Sequence, residues 1–115
     1  MFDIDGSTIS LTRGDTFEAE VGMTMEDEPY VPEVGDNIRF ALKRKLFSSD
    51  LGEYIDPVPL IVKPIPLDSL LLVLEPEDTK ELRFGTYAYD IEITFADGFV
   101  DTFIKGDFEI TPEVY

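Results

Sequence analysis

The sequence contains no cysteine and no histidine. Without cysteine the chain cannot form a disulfide, supply a thiolate nucleophile, or bind zinc or an iron–sulfur cluster through sulfur. Without histidine it lacks the usual general base near neutral pH and the commonest transition-metal ligand. Ser-His-Asp and Cys-His catalysis are therefore excluded within this chain. We expect a protein that is not an enzyme and that needs no cofactor or metal.

Long hydrophobic runs are also missing. The longest wholly apolar run covers residues 70–74, whereas a membrane-spanning helix needs about 20 apolar residues. The first residues contain neither a basic region nor an apolar stretch of the kind found in signal peptides. We therefore expect no signal peptide and no membrane partner.

Basic residues are scarce, with nine Lys and Arg against 25 Asp and Glu, which gives a formal net charge of −16 over 115 residues. Such a surface repels nucleic-acid phosphates and anionic membranes, so neither is an expected partner. Hydrophobic residues make up 43% of the chain and aromatic residues 12%, which is too many for a disordered chain. The length fits one domain spanning residues 1–115.

Apolar and polar residues alternate with period two along most of the chain, which predicts β-strands. The pattern predicts strands over residues 17–23 and 37–43, and a short buried strand over residues 70–74. The clearest alternation follows Gly85. It predicts that five apolar side chains face the core from one strand: Tyr87, Tyr89, Ile91, Ile93 and Phe95.

A hairpin is predicted where this strand ends, because Asp97-Gly98 is a strong turn signal between alternating runs. A two-residue loop fixes the register of the following strand, with a bulge or bend expected at Gly106. The predicted pairs are Phe95 with Val100, Ile93 with Thr102, Ile91 with Ile104, and Asp90 with Lys105.

The remaining segments are shorter or irregular. Residues 75–82 predict one helical turn, since Pro76 suits a first helical position and acidic residues follow it. Residues 24–36 predict a loop with a brief extended piece, and the four prolines in residues 44–69 predict an extended edge or linker. Together these elements predict an all-β fold, an immunoglobulin-like antiparallel β-sandwich of about seven strands with one short helical turn near 76–82. A closed barrel is the alternative.

Five segments resemble a known family: residues 9–16 (ISLTRGDT), 34–44 (VGDNIRFALKR), 74–79 (LEPEDT), 85–91 (GTYAYDI) and 106–112 (GDFEITP). They are similar to small immunoglobulin-like domains of phage and prophage tail or baseplate proteins, and in particular to the N-terminal domain of upper baseplate proteins from phages of Gram-positive bacteria. The resemblance covers roughly residues 7–112. It implies a structural protein of the virion without catalytic residues, with other virion proteins or copies of itself as partners. Such a protein is located in the virion, or in the bacterial cytoplasm before assembly.

Two short motifs have structural interpretations. Arg13-Gly14-Asp15 spells an integrin-binding tripeptide, but before a strand Gly-Asp is typical of a turn. The segment Asp3-Ile4-Asp5-Gly6-Ser7 resembles the beginning of a calcium loop, but Gly14 occupies the twelfth position, where an EF-hand needs a bidentate Glu. A solvated N-terminus is the favoured interpretation of this segment, and a weak calcium site is the alternative.

Four of the nine basic residues lie within seven positions: Arg39, Lys43, Arg44 and Lys45. The alternation predicts that Arg39, Lys43 and Lys45 point away from the core. They form either a docking patch for an acidic surface or a set of intramolecular partners for neighbouring carboxylates.

Two aromatic residues are further candidates for a contact with another protein, beside the four basic residues. The predicted register places Phe99 and Phe103 on the outer face of the hairpin, where they form a contact patch or are covered by the proline-rich residues 56–66.

Two other functions fit the composition. The charge of −16 suits an acidic mimic of DNA that inhibits a nucleic-acid enzyme, although the basic residues of 39–45 would interrupt a phosphate-like array. A small β-sandwich can also serve as a surface adhesion or sugar-binding module.

Overall fold

Strands dominate the computed structural model, which describes residues 2–5, 7–22, 24–25 and 28–112. The elements in chain order are β1 (Phe2–Asp5), β2 (Thr8–Thr12), β3 (Phe17–Glu20), β4 (Thr24–Met25), β5 (Glu28–Pro29), β6 (Asn37–Ser48), β7 (Gly52–Ile65), β8 (Leu71–Leu74), α1 (Pro76–Thr79), β9 (Gly85–Thr94) and β10 (Val100–Thr111). The strands predicted over 17–23, 37–43 and 70–74 correspond to β3, β6 and β8. Residue 23 lies outside the described residues.

Six strands form one sheet in the order β1-β2-β10-β9-β6-β7, and β3 and β8 form a second sheet. The short strands β4 and β5 pair only with each other, within the predicted loop. Neighbouring described strands are antiparallel with one exception, since β2 runs parallel to β10. The two larger sheets contain eight strands, against the seven or so predicted.

The core lies between the two larger sheets. Phe17 of β3 contacts Phe108 of β10, with ring centres 6.1 Å apart, and Phe108 contacts Phe40 of β6 at 6.0 Å. All three rings are fully buried, as are Leu72 and Leu74 of β8. Two sheets that face each other across one core make an all-β sandwich, as predicted.

The strand order also agrees with the predicted arrangement. In a variable-type immunoglobulin sandwich, strand C′ extends the sheet of strands G, F and C, while B and E belong to the opposite sheet. The order β10-β9-β6-β7 and the separate pair β3-β8 follow that scheme. In the described chain β1 and β7 lie at the two ends of the six-stranded sheet and do not pair with each other, unlike the end strands of a closed barrel.

The predicted β9–β10 hairpin forms, but its loop has three residues rather than two. The Phe95 N–H donates to the carbonyl oxygen of Phe99 at 2.8 Å, and the Gly98 N–H donates to that of Phe95 at 2.8 Å. Gly98 has a φ of 93°, which suits the left-handed position at the end of a three-residue loop. The pairs predicted close to the turn are therefore wrong, because Val100 lies opposite Thr94 and Thr102 lies opposite Glu92.

A bulge at Phe103 then restores the predicted register. Beyond it, Ile104 lies opposite Ile91 and Lys105 lies opposite Asp90, as predicted. The expected bulge at Gly106 is wrong, since Gly106 pairs regularly with Tyr89. Gly106 instead allows a close approach: a Cβ atom at this position would collide with the carbonyl oxygen of Ser7.

The core face of β9 is as predicted. The side chains of Tyr87, Tyr89, Ile91 and Ile93 are buried, and that of Phe95 is partly buried. The helical turn predicted over 75–82 is confirmed as α1. Asp78 Oδ2 accepts a hydrogen bond from the Glu75 N–H at 2.7 Å, which satisfies a backbone donor ahead of the helix.

The proline-rich segment is an extended edge, as predicted, in the form of β7. Strand β6 is five residues longer than predicted. Lys43 is the last β6 residue that pairs with β9, and beyond it β6 continues to pair with β7. Residues 44–58 thus diverge from β9, and we call them the β6–β7 arm. The Cα radius of gyration of 15.1 Å exceeds the roughly 13 Å expected for a compact domain of this length, in agreement with a projecting arm.

The first described residues form a strand. The acidic residues Asp3 and Asp5 lie in β1, whose backbone pairs with β2 rather than standing free in solvent. No described helix is both long and apolar enough to cross a membrane.

Candidate interaction surface

The predicted basic residues of β6 face acidic residues of the neighbouring strand. Arg39 Nη1 lies 2.7 Å from Asp90 Oδ1, and Arg39 Nη2 lies 2.9 Å from Glu92 Oε2. Lys43 Nζ lies 3.3 Å from Asp90 Oδ2. This geometry follows from the register, which places Arg39 opposite Glu92 and keeps Asp90 between the two cations. Of the two interpretations of these basic residues, the intramolecular one matches the contacts of Arg39 and Lys43.

These contacts shift the acidity of Asp90. Partial burial acts to raise its pKa, but hydrogen bonds from Arg39 and Lys43 and the positive charges of both residues outweigh that effect. The pKa of Asp90 therefore lies below its ordinary value. The carboxylate stays ionised and keeps the two cations oriented. An outer face neutralised in this way does not present the uninterrupted acidic array that a DNA mimic needs.

Lys45 and Arg44 differ in their surroundings. Lys45 Nζ lies 2.6 Å from Asp107 Oδ1 and 3.9 Å from Glu53 Oε1. Arg44 lies where the pairing of β6 with β7 is irregular, and it is exposed. Its guanidinium group contacts no carboxylate among the described residues, so it is available for a partner.

Phe99 and Phe103 do not form one patch. Phe99 is 65% exposed and contacts only the hairpin ring Phe95 among the described aromatic rings, with ring centres 6.2 Å apart. Phe103 is the bulged residue and packs against the core cluster. The bulge thus moves Phe103 away from the outer position that the two-residue loop predicted. The proline-rich residues 56–66 do not lie beside Phe99, because β9 and β6 separate β7 from β10.

The arm carries a group of exposed apolar residues that the sequence analysis missed. Phe47 is 80% exposed, Leu51 72%, Val58 67% and Ile55 53%. Phe47 lies opposite Glu53, and Ile55 lies opposite Lys45. Because paired residues share a face and so do residues two apart in a strand, Phe47 and Ile55 lie on the same face of the arm. The period-two alternation of residues 43–47 could have extended the predicted strand, but it could not show that the pairing of β6 with β9 ends at Lys43.

The turn at the end of the arm has a defined geometry. Ser48 Oγ accepts hydrogen bonds from the N–H groups of Asp50 at 3.1 Å and Leu51 at 3.3 Å. Gly52, which pairs with Ser48 at the start of β7, takes a φ of 71°, a left-handed conformation that glycine adopts without steric cost. Residues 46–58 contain three carboxylates and no basic residue. The arm is therefore an ordered element with apolar side chains and an acidic rim.

A second exposed apolar group lies at the opposite end of the sheet and consists of Val31, Val34, Phe99 and Val100. The buried carboxylate of Asp36 holds this end together: it accepts hydrogen bonds from Tyr30 Oη at 2.7 Å, the Glu33 N–H at 2.9 Å and the Ala96 N–H at 3.1 Å. These hydrogen bonds lower the pKa of Asp36.

The Arg13-Gly14-Asp15 segment forms a turn, as predicted. The Asp15 N–H donates to the carbonyl oxygen of Thr12 at 3.0 Å, and Gly14 has a φ of 83°. The Arg13 guanidinium carbon lies 4.2 Å from the centre of the Phe84 ring, so this side chain is packed within the fold.

Within the described parts of the chain, no group of three or more acidic side chains is arranged to hold a metal ion. The arm is the surface best suited to recognition, because it combines exposed apolar side chains with carboxylates on one ordered hairpin. Comparison with known protein families and with curated proteins finds no match for this chain.

Proposed function

We propose that this protein is a non-enzymatic assembly module of a phage or prophage virion, of the tail or baseplate type, that acts through protein–protein contacts. The observation that carries the proposal is the projecting arm with its exposed Phe47, Leu51, Ile55 and Val58. Large apolar side chains gathered on an ordered projection are typical of protein interaction sites. The virion setting is supported by the resemblance of residues 7–112 to baseplate domains.

The arm defines the kind of partner. Its apolar side chains require an apolar pocket, and its carboxylates favour basic residues at the rim of that pocket. A negatively charged nucleic acid or membrane does not offer this combination. The partner is therefore a protein, either another virion component or a second copy of this chain.

Incorporation into particles tests the proposal. Phage particles purified from the source bacterium should contain the wild-type protein, as measured by mass spectrometry of the particle fraction. The Phe47→Ser variant should be depleted from particles about tenfold or more, because it removes the most exposed aromatic side chain of the arm.

Phe99→Ser provides the matched control. It removes an exposed phenylalanine at the opposite end of the sheet and should leave incorporation unchanged. Absence of the wild-type protein from every particle fraction would contradict the virion assignment. Equal incorporation of wild type and Phe47→Ser would contradict the role of the arm.

A further inference from the structure

A cleft of about 530 Å³ lies between the base of the arm and residues 81–87. Its size is within the range of about 300–1,000 Å³ that is typical of binding pockets. Strands β6 and β7 contribute Arg44, Lys45 and Leu60 to the lining, and the other wall includes Glu81, Arg83 and Phe84. The cleft exists because β6 and β9 stop pairing at Lys43.

The wall of the cleft is held in place by contacts with the rest of the fold. Tyr87 Oη donates a hydrogen bond to the carbonyl oxygen of Arg83 at 2.7 Å. Arg13 Nη1 donates to the carbonyl oxygen of Leu82 at 3.4 Å, and the same guanidinium group packs over Phe84. The wall is therefore formed before any partner binds, which lowers the entropic cost of binding.

Two cations of the cleft have no acidic partner among the described residues. In the described part of the chain, Arg39, Lys43, Lys45 and Lys63 all contact carboxylates. Arg44 and Arg83 line the cleft and make no such contact there. Two unpaired guanidinium groups in a chain of net charge −16 mark a local site for carboxylates, because a guanidinium group binds a carboxylate through paired hydrogen bonds.

We infer that the arm of a second copy of this chain occupies the cleft. The arm offers the complementary chemistry, with carboxylates at Asp50 and Glu53 for the two arginines and an exposed ring at Phe47 for Phe84. Glu53 is 70% exposed and lies 3.9 Å from Lys45, so its carboxylate is free to contact a partner. This inference rests on the proposed function and specifies the partner of the arm.

Because the cleft lies beside the chain's own arm, two copies can each place an arm in the cleft of the other. Two copies related by a twofold axis can place their arms side by side, each between the arm and the wall of the other. From Arg44 to Ser48 the arm extends about 14 Å at 3.4 Å per residue. Overall repulsion between two acidic copies is screened over about 8 Å at physiological ionic strength, whereas the contacts within the cleft are direct.

A charge exchange between two variants tests the inference. One variant has an acidic cleft (Arg44→Glu with Arg83→Glu), and the other has a basic arm (Asp50→Lys with Glu53→Lys). We expect wild type to dimerise in sedimentation equilibrium and neither variant to dimerise alone. An equimolar mixture should form a heterodimer about tenfold tighter than either homodimer, because both of its arm–cleft contacts are complementary.

If net charge alone governed dimerisation, the two variants would behave differently from this expectation. Each reversal changes the formal charge by two, so from −16 the acidic-cleft variant reaches −20 and the basic-arm variant −12. Long-range repulsion would then favour the homodimer of the basic-arm variant. Lys80→Glu with Lys105→Glu is the matched control: it also reaches −20, lies outside the cleft and should dimerise like wild type at physiological ionic strength.

Three results would overturn the inference: a strictly monomeric wild type at millimolar concentration, dimerisation of the acidic-cleft variant, or no heterodimer in the mixture. The proposed function can be judged separately. If the acidic-cleft variant is incorporated into particles normally while Phe47→Ser is not, the arm binds another virion protein, and only the inference about the second copy fails.

Discussion

Arg39 Nη1 donates a hydrogen bond of 2.7 Å to Asp90 Oδ1 across two neighbouring strands of the large sheet. Lys43 donates to the other oxygen of the same carboxylate at 3.3 Å. One acidic side chain therefore holds two of the basic residues on the outer face of β6.

Asp90→Asn should lower the free energy of unfolding at neutral pH by about 1 kcal/mol, the upper part of the range for solvent-screened pairs. Because the pKa of Asp90 is lower in the folded state than its ordinary value of 3.8, the carboxylate stabilises the fold above that pH. This contribution disappears as the pH falls through the folded-state pKa. Urea denaturation should therefore show a difference between wild type and Asp90→Asn at pH 7 that vanishes in strong acid. Glu53→Gln is the control and should change stability little, since Glu53 is largely exposed.

Tyr30 should remain protonated in moderately alkaline solution. The hydrogen bond to Asp36, together with loss of hydration and the nearby negative charges, raises the pKa of Tyr30 to about 12. The raised pKa stabilises the fold below the ordinary value of 10.0, and this contribution is lost as the pH rises toward 12. Carbon NMR of the Tyr30 ring should report the raised pKa, and Asp36→Asn should return it toward 10.0. An unchanged Tyr30 titration in Asp36→Asn would rule out the Asp36 carboxylate as the cause.

Gly106→Ala should destabilise the protein by about 1–3 kcal/mol, as overpacking does. The added methyl group would collide with the Ser7 carbonyl oxygen, which also accepts a hydrogen bond from Tyr89 Oη at 2.5 Å. Gly22→Ala is the matched control, because its Cβ would meet open space, and we expect a change within about 0.5 kcal/mol. Equal denaturation midpoints for the two variants would show that the close approach of Ser7 does not constrain position 106.

The alternation of β9 was sufficient to predict its core face, because period two alone decides which side chains share a face. The bulge at Phe103 could not be predicted from the same alternation. One inserted residue leaves the alternation intact on either side, and it becomes visible only when both strands are paired. Ala96 is compatible with a loop of two or three residues, so the turn sequence did not decide the register.

The surroundings of the basic residues depend on contacts distant in sequence. The alternation placed Arg39 and Lys43 outside the core, but it could not identify β9 as the neighbouring strand that supplies Asp90 and Glu92. The arm escaped prediction because the exposure of Phe47 depends on where β6 stops pairing with β9. The prolines of β7 correctly predicted an edge strand, since proline cannot donate a hydrogen bond within a sheet.

Site-specific photo-crosslinking from position 47 tests directly whether the arm is the contact surface of this protein. A photoreactive phenylalanine analogue replaces Phe47 in one sample and Phe99 in another, and crosslinked peptides from intact particles are identified by mass spectrometry. We expect a defined protein adduct from position 47, with residues 81–87 of a second copy as its target, and little adduct from position 99. An abundant adduct from position 99 with none from position 47 would contradict the role of the arm.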